Sequence, residues 1–227
     1  MKDTQTGFAG ASLHRDIKGL TMIGFHNYTV VLTYAGFACG CCGIYYALSG
    51  HPGIGIILLL LAGFCDMFDG KVARTRERTD AEKQFGIQID SLSDLVCFGL
   101  LPAVIGYACG LNRPLDLVIL VFFTLAALIR LAYFNVTEDE RQKQTTEVRK
   151  VYEGLPVTSV ALIFPPLFSF RHDIGAMFPQ VYGTLLLLVG LAFITRFKIK
   201  KPGMRCMFAF IGIGALELAW LLYKTRS

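Results

Sequence analysis

The chain has 227 residues, of which 54% are hydrophobic and only 17% charged. A soluble domain carries roughly 25% charged residues. That deficit, with a mean hydropathy of +0.52, excludes an ordinary water-soluble fold and reads as an integral membrane protein. The net charge of +5 is modest and indicates no nucleic-acid partner.

In chain order, residues 11–24 are amphipathic and too polar to span, which predicts an N-terminal interfacial helix. Seven segments then approach the ~20 apolar residues that a bilayer crossing needs. They are 28–49, 53–73, 86–110, 115–136, 155–171, 179–196 and 204–223. The expected fold is all-α, a polytopic transmembrane helical bundle of six core helices plus an extra C-terminal helix. The domain reading is 1–25 interfacial, 26–202 membrane domain and 203–227 an additional hydrophobic segment. No short basic-then-apolar leader with a cleavage site is seen. Gly36-x3-Gly40 and Gly106-x3-Gly110 permit close helix packing.

Lysine and arginine bias sets orientation. One side collects Lys2, Arg15 and Lys18, the cluster Lys71, Arg74, Arg76, Arg78 and Lys83, and the basic stretches 141–150 and 196–205. The other receives Arg113, Arg171, Lys224 and Arg226. The first side is therefore expected to be cytoplasmic. Asn27-Tyr28-Thr29 and Asn135-Val136-Thr137 match a glycosylation pattern but fall on that side, so the reading is discarded. The seven cysteines and four histidines form no zinc pattern and read as packing residues.

One constellation stands out. Asp66-x2-Asp69-Gly70-x2-Ala73-Arg74 closes the second segment, and Gly86-x3-Asp90-x3-Asp94 opens the third. Residues three and four apart share a helix face, so each set forms one stripe. A connecting loop of ~10 residues lets the two helices run antiparallel and converge their carboxylates near the cytoplasmic surface. An aspartate facing lipid near the bilayer centre costs about 2.5–3.5 kcal/mol, so four must face a wet cavity. Like charges that close need compensation. An all-oxygen ligand set favours magnesium or manganese, and four carboxylates suit two ions. Gly70, Ala73 and Gly86 leave room for a flat group, and Arg74 supplies a cation for phosphate. A nucleotide-linked lipid diphosphate fits such a site. The competing readings are a polar helix–helix contact and a cation transporter whose carboxylates line an ion path.

These residues resemble the signature of the CDP-alcohol phosphatidyltransferases, and the chain looks like the phosphatidylserine synthase branch. The gap of eleven residues between Arg74 and Gly86 is wider than in many members. Residues 85–99 with Pro102, the block Arg130-Leu-Ala-Tyr-Phe-Asn135, and Gly154-Leu-Pro156 resemble further parts of that branch. Tyr133 stands where a second arginine is expected, and Cys97 where a serine is expected. The resemblance implies transfer of a phosphatidyl group from CDP-diacylglycerol to L-serine with release of CMP. Glycerol 3-phosphate or inositol phosphate are the alternative acceptors. By the same resemblance Asp66, Asp69, Asp90 and Asp94 would bind metal, and Asp94 would act as general base. Gly70, Ala73, Arg74 and Gly86 would hold the CDP group, and the enzyme would be a homodimer. Arg130 and Asn135 are candidates for the acceptor or a lipid phosphate. Glu217 is an intramembrane carboxylate with no assigned partner.

Overall fold

The computed structural model describes residues 23–25, 27–144, 151–200 and Gly212. The expected interfacial helix falls almost wholly outside these residues, and the seventh segment with Glu217 lies outside them as well.

Asn27 starts the first membrane helix. Its Oδ1 accepts from Thr29 N–H at 3.0 Å, capping a 3-10 turn over Tyr28–Val30 that runs into α1 (Val31–Leu48). Helix α2 (Pro52–Val72) starts on a proline, whose missing N–H costs nothing in a first turn. Helix α3 (Asp80–Asp94) continues through a π turn, Leu95–Leu100, into α4 (Leu101–Ala108). Pro102 accounts for the π turn. In a regular helix its ring would strike the carbonyl of Phe98. The wider turn instead has Leu101 N–H donating to Val96 O, five residues back.

Helix α5 (Pro114–Gln144) outruns the 115–136 segment. Past the apolar stretch the sequence is rich in helix formers, and Arg141 pairs with Glu138 at 2.6 Å, so the helix persists beyond the hydrocarbon. Helix α6 (Val160–Ser169) and its leading 3-10 turn, Val157–Ser159, are shorter than the other spans. Pro165 and Pro166 remove ladder donors there. A short α7 (Arg171–Ile174) leads to α8 (Phe178–Ile194). Five helical stretches among the described residues are long and apolar enough to cross a membrane, one fewer than the six core helices expected; the α6 stretch, Val157–Ser169, is apolar but shorter. Two three-residue strands, β1 (Val151–Glu153) and β2 (Lys198–Lys200), pair antiparallel and tie the start of the α6 segment to the exit of α8.

α1 and α2 form a tight antiparallel hairpin, α4 lies on both, and α5 packs along α8. The core joins Ile56, Leu59, Leu101 and Ile105 to an aromatic cluster of Phe123, Phe164, Phe168 and Tyr182. Tyr182 is fully buried, and its hydroxyl donates to Pro102 O at 3.1 Å. Outward, Val118, Val121, Leu125, Leu128 and Ile129 expose an apolar stripe at helical spacing on α5, as a lipid-facing helix requires.

Candidate active site

The glycines of α1 bring the acidic helices together. A Cβ at Gly36 would meet Cys65 Cβ at 3.2 Å, and one at Gly40 would meet Cys97 Sγ at 2.7 Å. Cys65 immediately precedes Asp66, and Cys97 follows Asp94 by three residues. Bare backbone at Gly36 and Gly40 therefore lets α1 seat against both acidic elements. Asp66, Asp69, Asp90 and Asp94 line one cavity, with Thr33 and Gly36 of α1 and Ser93 and Cys97 closing it.

Carboxylate oxygens of Asp66, Asp90 and Asp94 lie within 4.8 Å of one another. Asp69, 9% exposed, shares the cavity and accepts from Thr33 Oγ1 at 3.4 Å. Asp90 Oδ1 is buried and has no hydrogen-bond partner among the described residues. A buried carboxylate oxygen without a donor is costly unless a cation meets it. The clustered oxygens and this orphan atom together fit a hard divalent ion. The thiol of Cys97 turns away from that role, since its Sγ donates to Gly36 O at 3.3 Å.

The expected slot residues sit at the α2–α3 connection. Gly70 faces open space, with nothing within 4 Å of a Cβ built there. Ala73 and Arg74 fall in a 3-10 turn, Ala73–Thr75, that ends α2; the Arg74 side chain lies outside the described structure. Gly86 is approached by Arg78, whose Nη1 would lie 3.1 Å from a Cβ at that position. α3 begins six residues before Gly86, at a capping box. Thr79 Oγ1 accepts from Glu82 N–H at 3.2 Å, and Glu82 Oε2 accepts from Thr79 N–H at 2.9 Å. The Thr-x2-Glu spacing is the sequence signal for that start.

Asn135 and Arg130 both lie on α5 but meet different neighbours. Asn135 sits within the helix, and its Nδ2 donates to Ser91 Oγ at 2.8 Å, beside Asp90. Arg130 is 6% exposed. Its Nε donates to Leu155 O at 3.0 Å, its Nη2 reaches Gly154 O at 3.5 Å, and its guanidinium lies 5.9 Å from the centre of the Phe134 ring. Neither residue is among those lining the aspartate cavity. Thr33 and Ser93 do line it, although the sequence pattern did not single them out, and so does Cys97, marked in the sequence only as standing where a serine is expected; uncharged small side chains carry little signal of their own inside apolar segments.

Residues 26–195 match the family model described as CDP-alcohol phosphatidyltransferase. The chain is 42% identical over 125 residues to a CDP-diacylglycerol–serine O-phosphatidyltransferase of Saccharomyces cerevisiae, covering 54% of this chain and 44% of that one. It is 32% identical over 179 residues to a protein of the same name from Mycobacterium leprae, covering 75% and 57%. It is 30% identical over 152 residues to an archaetidylserine synthase of Methanothermobacter thermautotrophicus, covering 66% and 61%. The chain thus spans about half the length of these three relatives.

Proposed function

The chain belongs to the CDP-alcohol phosphatidyltransferase family, and on that premise we propose that it transfers the phosphatidyl group of CDP-diacylglycerol to the hydroxyl of L-serine. The products are phosphatidylserine and CMP. The observation that carries the reading is the meeting of Asp66, Asp90 and Asp94 within 4.8 Å in a cavity that also holds Asp69. Serine is common to the names of the three relatives, while the lipid differs. That pattern supports serine as acceptor more strongly than it fixes the lipid tail.

Divalent-metal dependence is general in the family. Asp66, Asp69, Asp90 and Asp94 are the residues that would hold magnesium or manganese, and four carboxylates are enough for two ions. Bound there, the metal would neutralise the diphosphate and stabilise the departing CMP. Asp94 takes the proton of the serine hydroxyl as its oxygen bonds to phosphorus and the bond from phosphorus to the CMP oxygen breaks. Gly70, Ala73, Arg74 and Gly86 accommodate the CDP group, the glycines by leaving the backbone bare. Asn135 and Arg130 serve the acceptor side, Asn135 through Ser91 beside Asp90 and Arg130 through the Gly154–Leu155 turn it holds. The basic bias of the α2–α3 connection supports a site that faces the cytoplasm from the cell membrane. By family likeness the working unit is a homodimer.

The test is CMP release from the purified chain given CDP-diacylglycerol and one acceptor at a time. Serine-dependent release is expected. Release with glycerol 3-phosphate or inositol phosphate but not serine would reassign the acceptor, and metal flux without CMP would replace the enzyme reading by transport.

A further inference from the structure

Eleven residues separate Arg74 from Gly86 in the α2–α3 connection, and the structure shows how they are held. After the 3-10 turn Ala73–Thr75 the backbone becomes extended at Arg76 and reaches the N-cap Thr79. Glu82 then fastens this strand from several directions. Besides its capping bond to Thr79, its Oε1 accepts from Asn27 Nδ2 at 3.3 Å and lies 3.8 Å from Arg76 Nη2. Tyr28 OH and Thr75 Oγ1 are 3.0 Å apart, and the rings of Phe25 and Phe85 meet edge to face at 5.6 Å. The chain leading into α1 is thereby bound to both ends of the connection.

Held in this way, the connection delivers one guanidinium to the slot. Arg78 is half-buried and brings Nη1 to 3.1 Å from the position of a Gly86 Cβ. Among the described residues it has no hydrogen-bond or ion-pair partner, in contrast to its neighbour Arg76. Gly86 lies one helical turn outward from Asp90. On the donor reading, with the phosphates held by ions at the carboxylates, a group at Gly86 would meet the nucleoside end of a cytidine diphosphate group.

We infer that Arg78 is a nucleotide-binding residue that lays its guanidinium plane against the cytidine end of the donor where Gly86 leaves the backbone bare. The inference rests on the donor reading above. An arginine fits the task better than a lysine, because its planar, weakly hydrated head stacks on flat π systems and a compact ammonium does not.

Full-length protein in detergent, with magnesium, is titrated with CMP by calorimetry, and steady-state turnover is measured with CDP-diacylglycerol and serine. For Arg78→Ala, CMP affinity is expected to fall on the order of tenfold and the KM for CDP-diacylglycerol to rise to match. The KM for serine and kcat should stay within about twofold, and the melting temperature without nucleotide should not move. Arg78→Lys should behave like the alanine variant. Unchanged CMP affinity in Arg78→Ala overturns the inference, as does a lysine variant that binds CMP like wild type, since charge alone would then suffice. Arginine-dependent CMP binding without serine-dependent turnover would sink the acceptor assignment and leave the role of Arg78 standing.

Discussion

Asn135 Nδ2 donates to Ser91 Oγ at 2.8 Å and joins α5 to α3 at the residue next to Asp90. The bond is partly buried and spans 44 residues of sequence. It fixes the azimuth of α3 at the point where the carboxylates must face inward. Asn135→Ala and Ser91→Ala should each cost about 1 kcal/mol of stability, the usual net worth of such a bond. The double variant should cost no more than the larger single loss, because both break the same pair. Thermal unfolding in detergent measures this. Additive losses would mean that the two side chains act separately.

Two glycines of α2 separate packing from substrate space. A Cβ at Gly63 would come 2.6 Å from Ala161 Cβ on α6, whereas one at Gly70 meets nothing within 4 Å. Gly63→Val is expected to destabilise by about 1–3 kcal/mol through overpacking. Gly70→Ala should leave the melting temperature unchanged and raise the KM for CDP-diacylglycerol. If Gly70→Ala turned over the donor normally, the open space beside it would not be substrate space.

Much of this was legible in the sequence because charge inside an apolar segment is costly and so carries information. Asp66, Asp69, Asp90 and Asp94 announced their shared faces by spacing alone, and the cavity collects all four. The third wall was not legible. Gly36-x3-Gly40 signalled a close helix contact but not its partner; Thr33 and Gly36 reach the site because α1 lies against both acidic helices, a tertiary fact that the glycine spacing does not name. The onset of α3 at Asp80, ahead of the expected 86, was readable from Thr79 and Glu82, since side-chain capping offsets the polarity of the first turn. The extension of α5 to Gln144 escaped because apolar length measures the membrane crossing and not the helix.

Arg130 holds a turn that no other residue type could hold in the same way. It donates from one guanidinium to the carbonyls of Leu155 and Gly154, while Gly154 N–H donates to Phe197 O at 2.7 Å. Gly154 has φ +79°, and a Cβ there would lie 2.9 Å from Thr195 O. Arg130→Lys loses the planar fork and should cost about 2 kcal/mol, in the range for hydrogen bonds to charged groups. Gly154→Ala should cost at least about 1–2 kcal/mol from the left-handed backbone alone. Thermal melts of the two variants read both effects, and the acceptor KM shows whether the turn also shapes the acceptor side. A lysine variant as stable as wild type would refute the fork.

Asp94 is the proposed base, so its removal should act on the chemical step. Asp94→Asn keeps size and polarity but cannot take the serine proton. A fall in kcat of about 10²–10⁴ is expected, the typical worth of general-base catalysis. Asp94 is also one of the proposed metal ligands, so the comparison is made at saturating magnesium, where the KM for CDP-diacylglycerol should change less than kcat if loss of the base dominates. Full activity in this variant would move the base elsewhere.

The carboxylate cluster sets stability against function, and Asp90 is the residue that exposes the conflict. Its Oδ1 is buried without a donor among the described residues, and Asp66 and Asp94 stand close by. With chelator present, neighbouring like charges lack compensation. Asp90→Asn removes one of them and supplies an N–H donor, so without metal this variant should melt a few degrees above wild type, where about 1 kcal/mol corresponds to roughly 2–4 °C for a chain of this size. Added magnesium should reverse the order. Wild type gains stability by binding the ion in its native state, and the variant, short of one ligand, gains little. Turnover should be lost in the variant at any magnesium concentration. Melting curves with chelator and with millimolar magnesium decide the matter. Equal magnesium stabilisation of both proteins would mean that Asp90 is no metal ligand, and the cluster would then need another reason for its buried charge.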